Sequence, residues 1–144
     1  MVRPWIYIAS PFNLGDNGLN VRFQCTIWDQ LMDDGLVWPH APLWNHFQHL
    51  LYPRKSGDMI AFDNAMIPRL DACLRLDAIC VEMNYYQHES SGADAEVILF
   101  LTLDKPVFYS ISTMYAWVKR LNYQQCATPR AYTNADLAIG GDHP

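Results

Sequence analysis

Five consecutive apolar residues, Trp5-Ile6-Tyr7-Ile8-Ala9, open the chain and stop at Ser10-Pro11. A run this apolar, without alternation, fits a strand buried on both faces, which is the habit of a central strand in a parallel sheet. The following segment, Phe12 to Gly18, holds two Gly, two Asn and one Asp, and Asn17 or Asn20 can cap a helix after it. Leu19, Phe23, Ile27 and Leu31 then recur at four-residue steps, an apolar helix face that should end near Asp33-Asp34-Gly35, with Gly35 as the stop.

The same alternation continues. Leu36-Val37-Trp38 reads as a second strand, and Pro39-His40-Ala41-Pro42 leads to a short aromatic-rich helix over Leu43 to Leu51 that would wall a pocket. A helix is expected from about Asp58 to Leu70, with Met59, Ile60, Met66 and Ile67 on its buried side and Pro68 bending or ending it. Ala72 to Leu76 is a third strand, with Ala78 to Val81 a candidate extension, and Met83 to Ser90 reads as a polar, aromatic loop. Gly92 to Leu103 is expected helical, Val107 to Ser110 a fourth strand, and Met114 to Leu121 a last helix. Strands alternating with helices imply an α/β three-layer sandwich, Rossmann- or flavodoxin-like, on a mostly parallel sheet of four or five strands. Residues 1–121 form the expected domain; 122–144, without clear period, form a C-terminal extension whose final Gly140-Gly141-Asp142-His143-Pro144 should be mobile.

With 144 residues, five Trp and eight Tyr the chain can bury a core unaided. A net charge of −5 excludes a general nucleic-acid-polymer or anionic-membrane surface, which would need clustered Lys and Arg. No apolar run approaches bilayer length. Four cysteines without a C-x-x-C pair, and no visible signal peptide, imply reduced thiols in a cytoplasmic protein.

In an open parallel sheet, ligands bind beyond the carboxyl ends of the strands. Two carboxylates there lie on apolar helix faces, where a charge is costly without a partner or a task. Glu96 shares a face with Ala93, Leu99 and Phe100 and falls in the first turn of a helix introduced by Ser90-Ser91-Gly92. The helix dipole would favour its ionised form, and Gly92 would allow a ligand close to the backbone. Asp63 sits between Ile60 and Ile67 at three- and four-residue steps and could carry a raised pKa. The bland alternatives are that Glu96 only caps its helix and that Asp63 pairs with Arg69 or Arg75. His46-x-x-His49, with His40 nearby, could be imagined as a metal site, but no Cys partner or H-E-x-x-H pattern supports one. The expectation is no metal and no cofactor.

From Ile6 to Ser110 the pattern resembles the nucleoside 2-deoxyribosyltransferase-like family. Ile6-Tyr7-Ile8-Ala9-Ser10-Pro11 resembles the family's opening strand; Asp63 matches its helix aspartate; Ser90-Ser91-Gly92-Ala93-Asp94-Ala95-Glu96 resembles its S-x-G-x-x-x-E segment; and Lys105-Pro106-Val107 resembles a G-K-P-V approach to the next strand, with Asp104 in the Gly position. The resemblance implies cleavage or exchange of an N-glycosidic bond, with Glu96 as nucleophile, Tyr7 orienting it, and Asp63 gripping the sugar or assisting base departure. It implies a nucleoside or nucleoside 5′-monophosphate as partner, held by Ser10, Ser90, Gly92, Ala93, His46 and Trp44, with Trp38, Trp44 and Phe47 available to stack on the base, and a homo-oligomer, dimer or larger. Ser90 stands where the transferases proper carry Asp, as in relatives that hydrolyse 5′-monophosphates, which favours a hydrolase over a transferase. A non-catalytic nucleotide-binding or sensor domain on the same fold is the reading from a different class.

Overall fold

The computed structural model describes residues 1–12, 17–80, 85–87 and 91–127. Its elements are β1 (Trp5–Ala9), α1 (Asn17–Asp34), β2 (Trp38–His40), α2 (Asn45–Leu51), α3 (Ser56–Met66), β3 (Ala72–Arg75), β4 (Ala78–Cys80), β5 (Tyr85–Gln87), α4 (Ser91–Thr102), β6 (Val107–Phe108) and α5 (Ile111–Ala127). Short 3-10 turns, Pro42–Trp44 and Ile67–Arg69, precede α2 and follow α3. Four strands form one all-parallel sheet in the order β2-β1-β3-β6. β1 therefore lies between two partners, which is why its apolar run is buried from Ile6 to Ala9.

Alternation along the strands divides the core. Ile6, Ile8, Ala72 and Leu74 face Leu31 of α1 and Met114 and Val118 of α5. Tyr7, Ala9 and Cys73 face Ala93, Val97 and Phe100 of α4, with Ile67 and Leu70. Helices on both faces make the three-layer α/β sandwich. Each large side chain buried this way contributes roughly 1.5–3 kcal/mol.

Local chemistry explains several boundaries. Gly35 ends α1 with φ +69°, its N–H donating to Leu31 O at 3.2 Å, the left-handed cap glycine tolerates best. The end of α4 repeats this geometry with Asp104 at φ 57°; the Lys105 N–H reaches Phe100 O and the Asp104 N–H reaches Leu101 O. Lys105 then extends its Nζ to the carbonyls of Ile67, Pro68 and Leu70, tying α4 to the turn beneath α3. A glycine accepts the left-handed conformation without strain, so Asp104→Gly is expected to raise stability by about 0.5–1 kcal/mol and Asp104→Ala to lower it. Chemical denaturation checks both signs.

Four expectations shift. Strand β2 begins at Trp38 rather than Leu36 and contains Pro39, which a sheet accepts because β2 is an edge strand. Residues Ala78–Cys80 do not extend β3; they pair antiparallel with Tyr85–Gln87 as a separate two-stranded ribbon, inside the stretch read as a loop. α3 is α-helical only to Met66, Pro68 falling in the tighter turn that follows, and Ile60, expected on its buried side, is 59% exposed. α5 runs to Ala127, beyond Leu121, and Asn122 within it accepts the Val2 N–H at 2.7 Å and donates to Val2 O. The expected mobile end, Gly140 to Pro144, lies outside the described residues. No helix among the described residues is long and apolar enough to cross a membrane.

Candidate active site

The sheet order places β2 on one side of β1 and β3 on the other, so successive crossovers diverge around the carboxyl ends of β1 and β3 and leave a crevice there. A cleft of about 430 Å³ opens at this point. Ser10 and Gln24 floor it, Asn45 and Arg54 come from α2 and the segment after it, and Asp63 and Glu96 come from α3 and α4.

Tyr7 is fully buried, with its ring between His40 and Phe100 at centroid distances of 5.6 Å each. The clamp fixes where its hydroxyl points, and that hydroxyl donates to Glu96 Oε1 at 2.7 Å. Burial, with the charges of Glu96 and Asp63 adding to it, raises the Tyr7 pKa far above the ordinary phenol value, so the group stays a proton donor to the carboxylate.

Glu96 is the sixth residue of α4, one turn before the buried Phe100 and one turn after the buried Ala93, which turns its carboxyl toward the sheet. It was expected in the helix's first turn; the helix begins at Ser91, so Glu96 falls in the second, where the dipole has largely faded. The dipole therefore does not hold it ionised. Burial pushes its pKa up to about 7, opposed by the Tyr7 hydrogen bond, reinforced by the Asp63 charge and opposed again by Arg75.

Asp63 is likewise pushed up by burial, to about 6, with the Asn45 amide opposing. Asn45 is near without reaching full hydrogen-bond geometry: Asn45 Nδ2 and Asp63 Oδ1 are both buried and without a hydrogen-bond partner. The pairing of Asp63 with Arg69 or Arg75 is not formed. Arg75, 5% exposed at the end of β3, instead meets Asp77 and Asp94, each at 3.4 Å. Two carboxyls with pKa values near neutrality in one cleft are best treated as a pair that holds about one proton between pH 6 and 7.

Of the other expected site residues, Ser10, Gly92 and Ala93 line the cleft. A side chain at Gly92 would meet open space. Trp44 does not line the cleft; it is 59% exposed and stacks obliquely on Phe47, centroids 4.9 Å apart. Trp38 is at the opposite end of the sheet, stacked on Trp5 with Arg3 over its ring, so it cannot reach a ligand at the strands' carboxyl ends. Ser90 and the His46 side chain lie outside the described residues.

Sequence reasoning missed Gln24 and gave no role at the carboxyl pair to Asn45 or His40. Gln24, fully buried, donates to Ile8 O and Ser10 Oγ and accepts the Leu43 N–H, locking the β1 end to the start of the α2 segment. Asn45 faces Asp63. His40, next to Tyr7, has a buried Nε2 without a hydrogen-bond partner and a pKa lowered by burial, so its ring is neutral. The available signal was a pair of polar residues, Asn20 and Gln24, four apart on a helix face that packs inward. Among the described residues, no group of three His, Cys, Asp or Glu is arranged to hold a metal, and Cys25, Cys73 and Cys126 are free thiols. Comparison with protein-family models, curated proteins and solved structures yields no match to this chain.

Proposed function

We propose that this chain breaks the N-glycosidic bond of a (deoxy)nucleoside or nucleoside 5′-monophosphate through a covalent sugar ester on Glu96. The observation that carries the proposal is a carboxyl fixed by a buried tyrosine hydroxyl, 2.7 Å away, facing a cleft that also holds Asp63, whose Oδ1 is buried without a hydrogen-bond partner. A glycosidase needs one carboxylate as nucleophile and one proton for the leaving group, and a half-protonated pair supplies both.

The single proton rests more on Glu96, whose pKa stands the higher; the productive arrangement is the less populated one of the pair, with Glu96 ionised and Asp63 protonated. An oxygen of Glu96 forms a bond to the anomeric carbon as the carbon–nitrogen bond breaks; its electron pair leaves with the base, which takes the Asp63 proton. Tyr7 keeps the attacking oxygen in line. Water then attacks the anomeric carbon, returns one proton to Asp63 and frees Glu96. A second base in place of water would give transfer, and the serine at position 90 favours hydrolysis. The free thiols accord with a cytoplasmic setting. The exposed Phe62 and Ile60 of α3 and Ile98 and Leu101 of α4, on the two helices that wall the cleft, would suit a homodimer contact.

The test is incubation of the purified protein with the common nucleosides, deoxynucleosides and their 5′-monophosphates, with chromatography for free base. Cleavage of at least one is expected, with a bell-shaped pH–rate profile whose limbs fall near pH 6 and 7, since the rate needs one proton on the pair. A 2-fluorinated analogue of that substrate should leave sugar mass on Glu96. Release of no base from any member would remove this function.

A further inference from the structure

One end of the cleft has the opposite chemical character from the carboxyl pair. His49, Arg54 and Ser56 line it. The Arg54 backbone N–H donates to His49 Nδ1 at 3.0 Å, which leaves Nε2 as the nitrogen free to donate to a ligand. Arg54 is exposed and, among the described residues, forms no ion pair, while Arg75 engages two carboxylates. α3 starts at Ser56 behind Lys55, whose side chain provides no cap; the Asp58 N–H turns back to Lys55 O, and the N–H groups of Ser56 and Gly57 before it have no side-chain cap. Gly57 stands in open space, so backbone there is approachable. Asp58, also in that first turn, is not among the residues lining the cleft.

The donors are separated from the carboxyls by a fixed ruler. Asp63 lies seven residue steps along α3 from Ser56, a rise of about 10 Å. A ligand spanning the two ends must therefore offer an electrophilic carbon to Glu96 and a negative group to Arg54. A carboxylate-only cleft would repel such an anion; this one provides a separate place for it.

We infer that His49, Arg54 and Ser56 form an anion subsite, which takes a phosphate or carboxylate of the ligand whose glycosidic carbon lies against Glu96 and Asp63. The inference rests on the glycosidic reading for the position of the ligand, but its test does not depend on turnover. The anion has two possible sources: a 5′-phosphate on the sugar, or an acidic group on the departing base.

Binding to the Glu96→Gln protein, measured by calorimetry, separates them. The probes are the common nucleosides with and without a 5′-phosphate, together with orotidine, whose base carries a carboxylate. At least one charged member should bind about ten- to a hundredfold more tightly than its uncharged counterpart, as charge-assisted hydrogen bonds provide. A preference for monophosphates assigns the anion to the sugar, and one for orotidine over uridine assigns it to the base. Arg54→Ala should bring the charged member down to the affinity of its uncharged counterpart, and Arg54→Lys should keep part of the advantage, the charge being retained without the planar fork. Equal affinities throughout, failure of every member to bind, or an advantage that survives Arg54→Ala would overturn the subsite. If wild-type protein releases no base yet the Arg54-dependent preference stands, the glycosidic reading fails and the anion subsite remains.

Discussion

Glu96→Gln is expected to lower turnover by roughly three to five orders of magnitude on any substrate the wild type cleaves, with no loss of folded structure. Glutamine keeps the shape and still offers an oxygen to the Tyr7 hydroxyl, so the 2.7 Å contact can persist. What it lacks is the negative charge that captures the anomeric carbon. Steady-state kinetics, with circular dichroism as the control for folding, makes the comparison. Asp63→Asn should act differently: it removes the proton donor, so its effect should be greatest for bases that leave poorly and slight for bases that leave without protonation. A Glu96→Gln protein that turns over within tenfold of wild type would return Glu96 to the status of a buried helix residue bonded to Tyr7.

How much of this was visible before any coordinates depends on which forces wrote the signal. Burial of a central strand on both faces leaves an unbroken apolar run, so Trp5 to Ala9 announced β1, and with it the position of Tyr7. Backbone handedness was nearly as legible at Gly35, which closes α1; at Asp104, which has positive φ, only the resemblance to a G-K-P-V segment marked a glycine position. The two inward carboxylates could be found because each interrupts an apolar helix face. Apolar spacing failed where polar groups do the packing. On α1 the most buried residues include Asn20 and Gln24, whose amides satisfy Phe12 O, Ile8 O and Ser10 Oγ, whereas Leu19, Phe23 and Ile27 are only partly covered.

α3 resisted for a different reason. It is apolar around much of its surface, but none of its residues is buried, so its composition reflects something other than packing within this chain. The ribbon of β4 and β5 was missed because three-residue strands carry too few alternations to register, although the adjacent Tyr85 and Tyr86 were a β-forming cue. Trp38 was misplaced by sequence proximity to the cleft segment: three residues along β2 carry the chain from the amino end of the sheet to its carboxyl end.

A second consequence of burying Glu96 can be measured with no substrate at all. Its carboxyl titrates near 7 in the folded chain and near 4.3 in an unfolded one. Between those values the folded state binds the extra proton, so the Glu96 contribution favours folding in acid and is lost as pH rises through 7. This is opposite in sign to a salt-bridged carboxylate, whose stabilisation is lost on acidification. At pH 8 the wild type holds an ionised carboxylate in a place that disfavours it, at a cost of about 3–4 kcal/mol. Glu96→Gln resembles the protonated acid at every pH. It should therefore match the wild type near pH 4 and exceed it at pH 8, by about 3 kcal/mol and on the order of 10 °C in Tm for a chain of this size. Asp63, raised in the same direction, remains in both proteins and largely cancels from the difference. Denaturant melts of the two proteins from pH 4 to 8 trace the curve. A gap that is constant with pH would show that Glu96 titrates as an ordinary carboxylate, and the shared proton on which the bell-shaped rate profile depends would go with it.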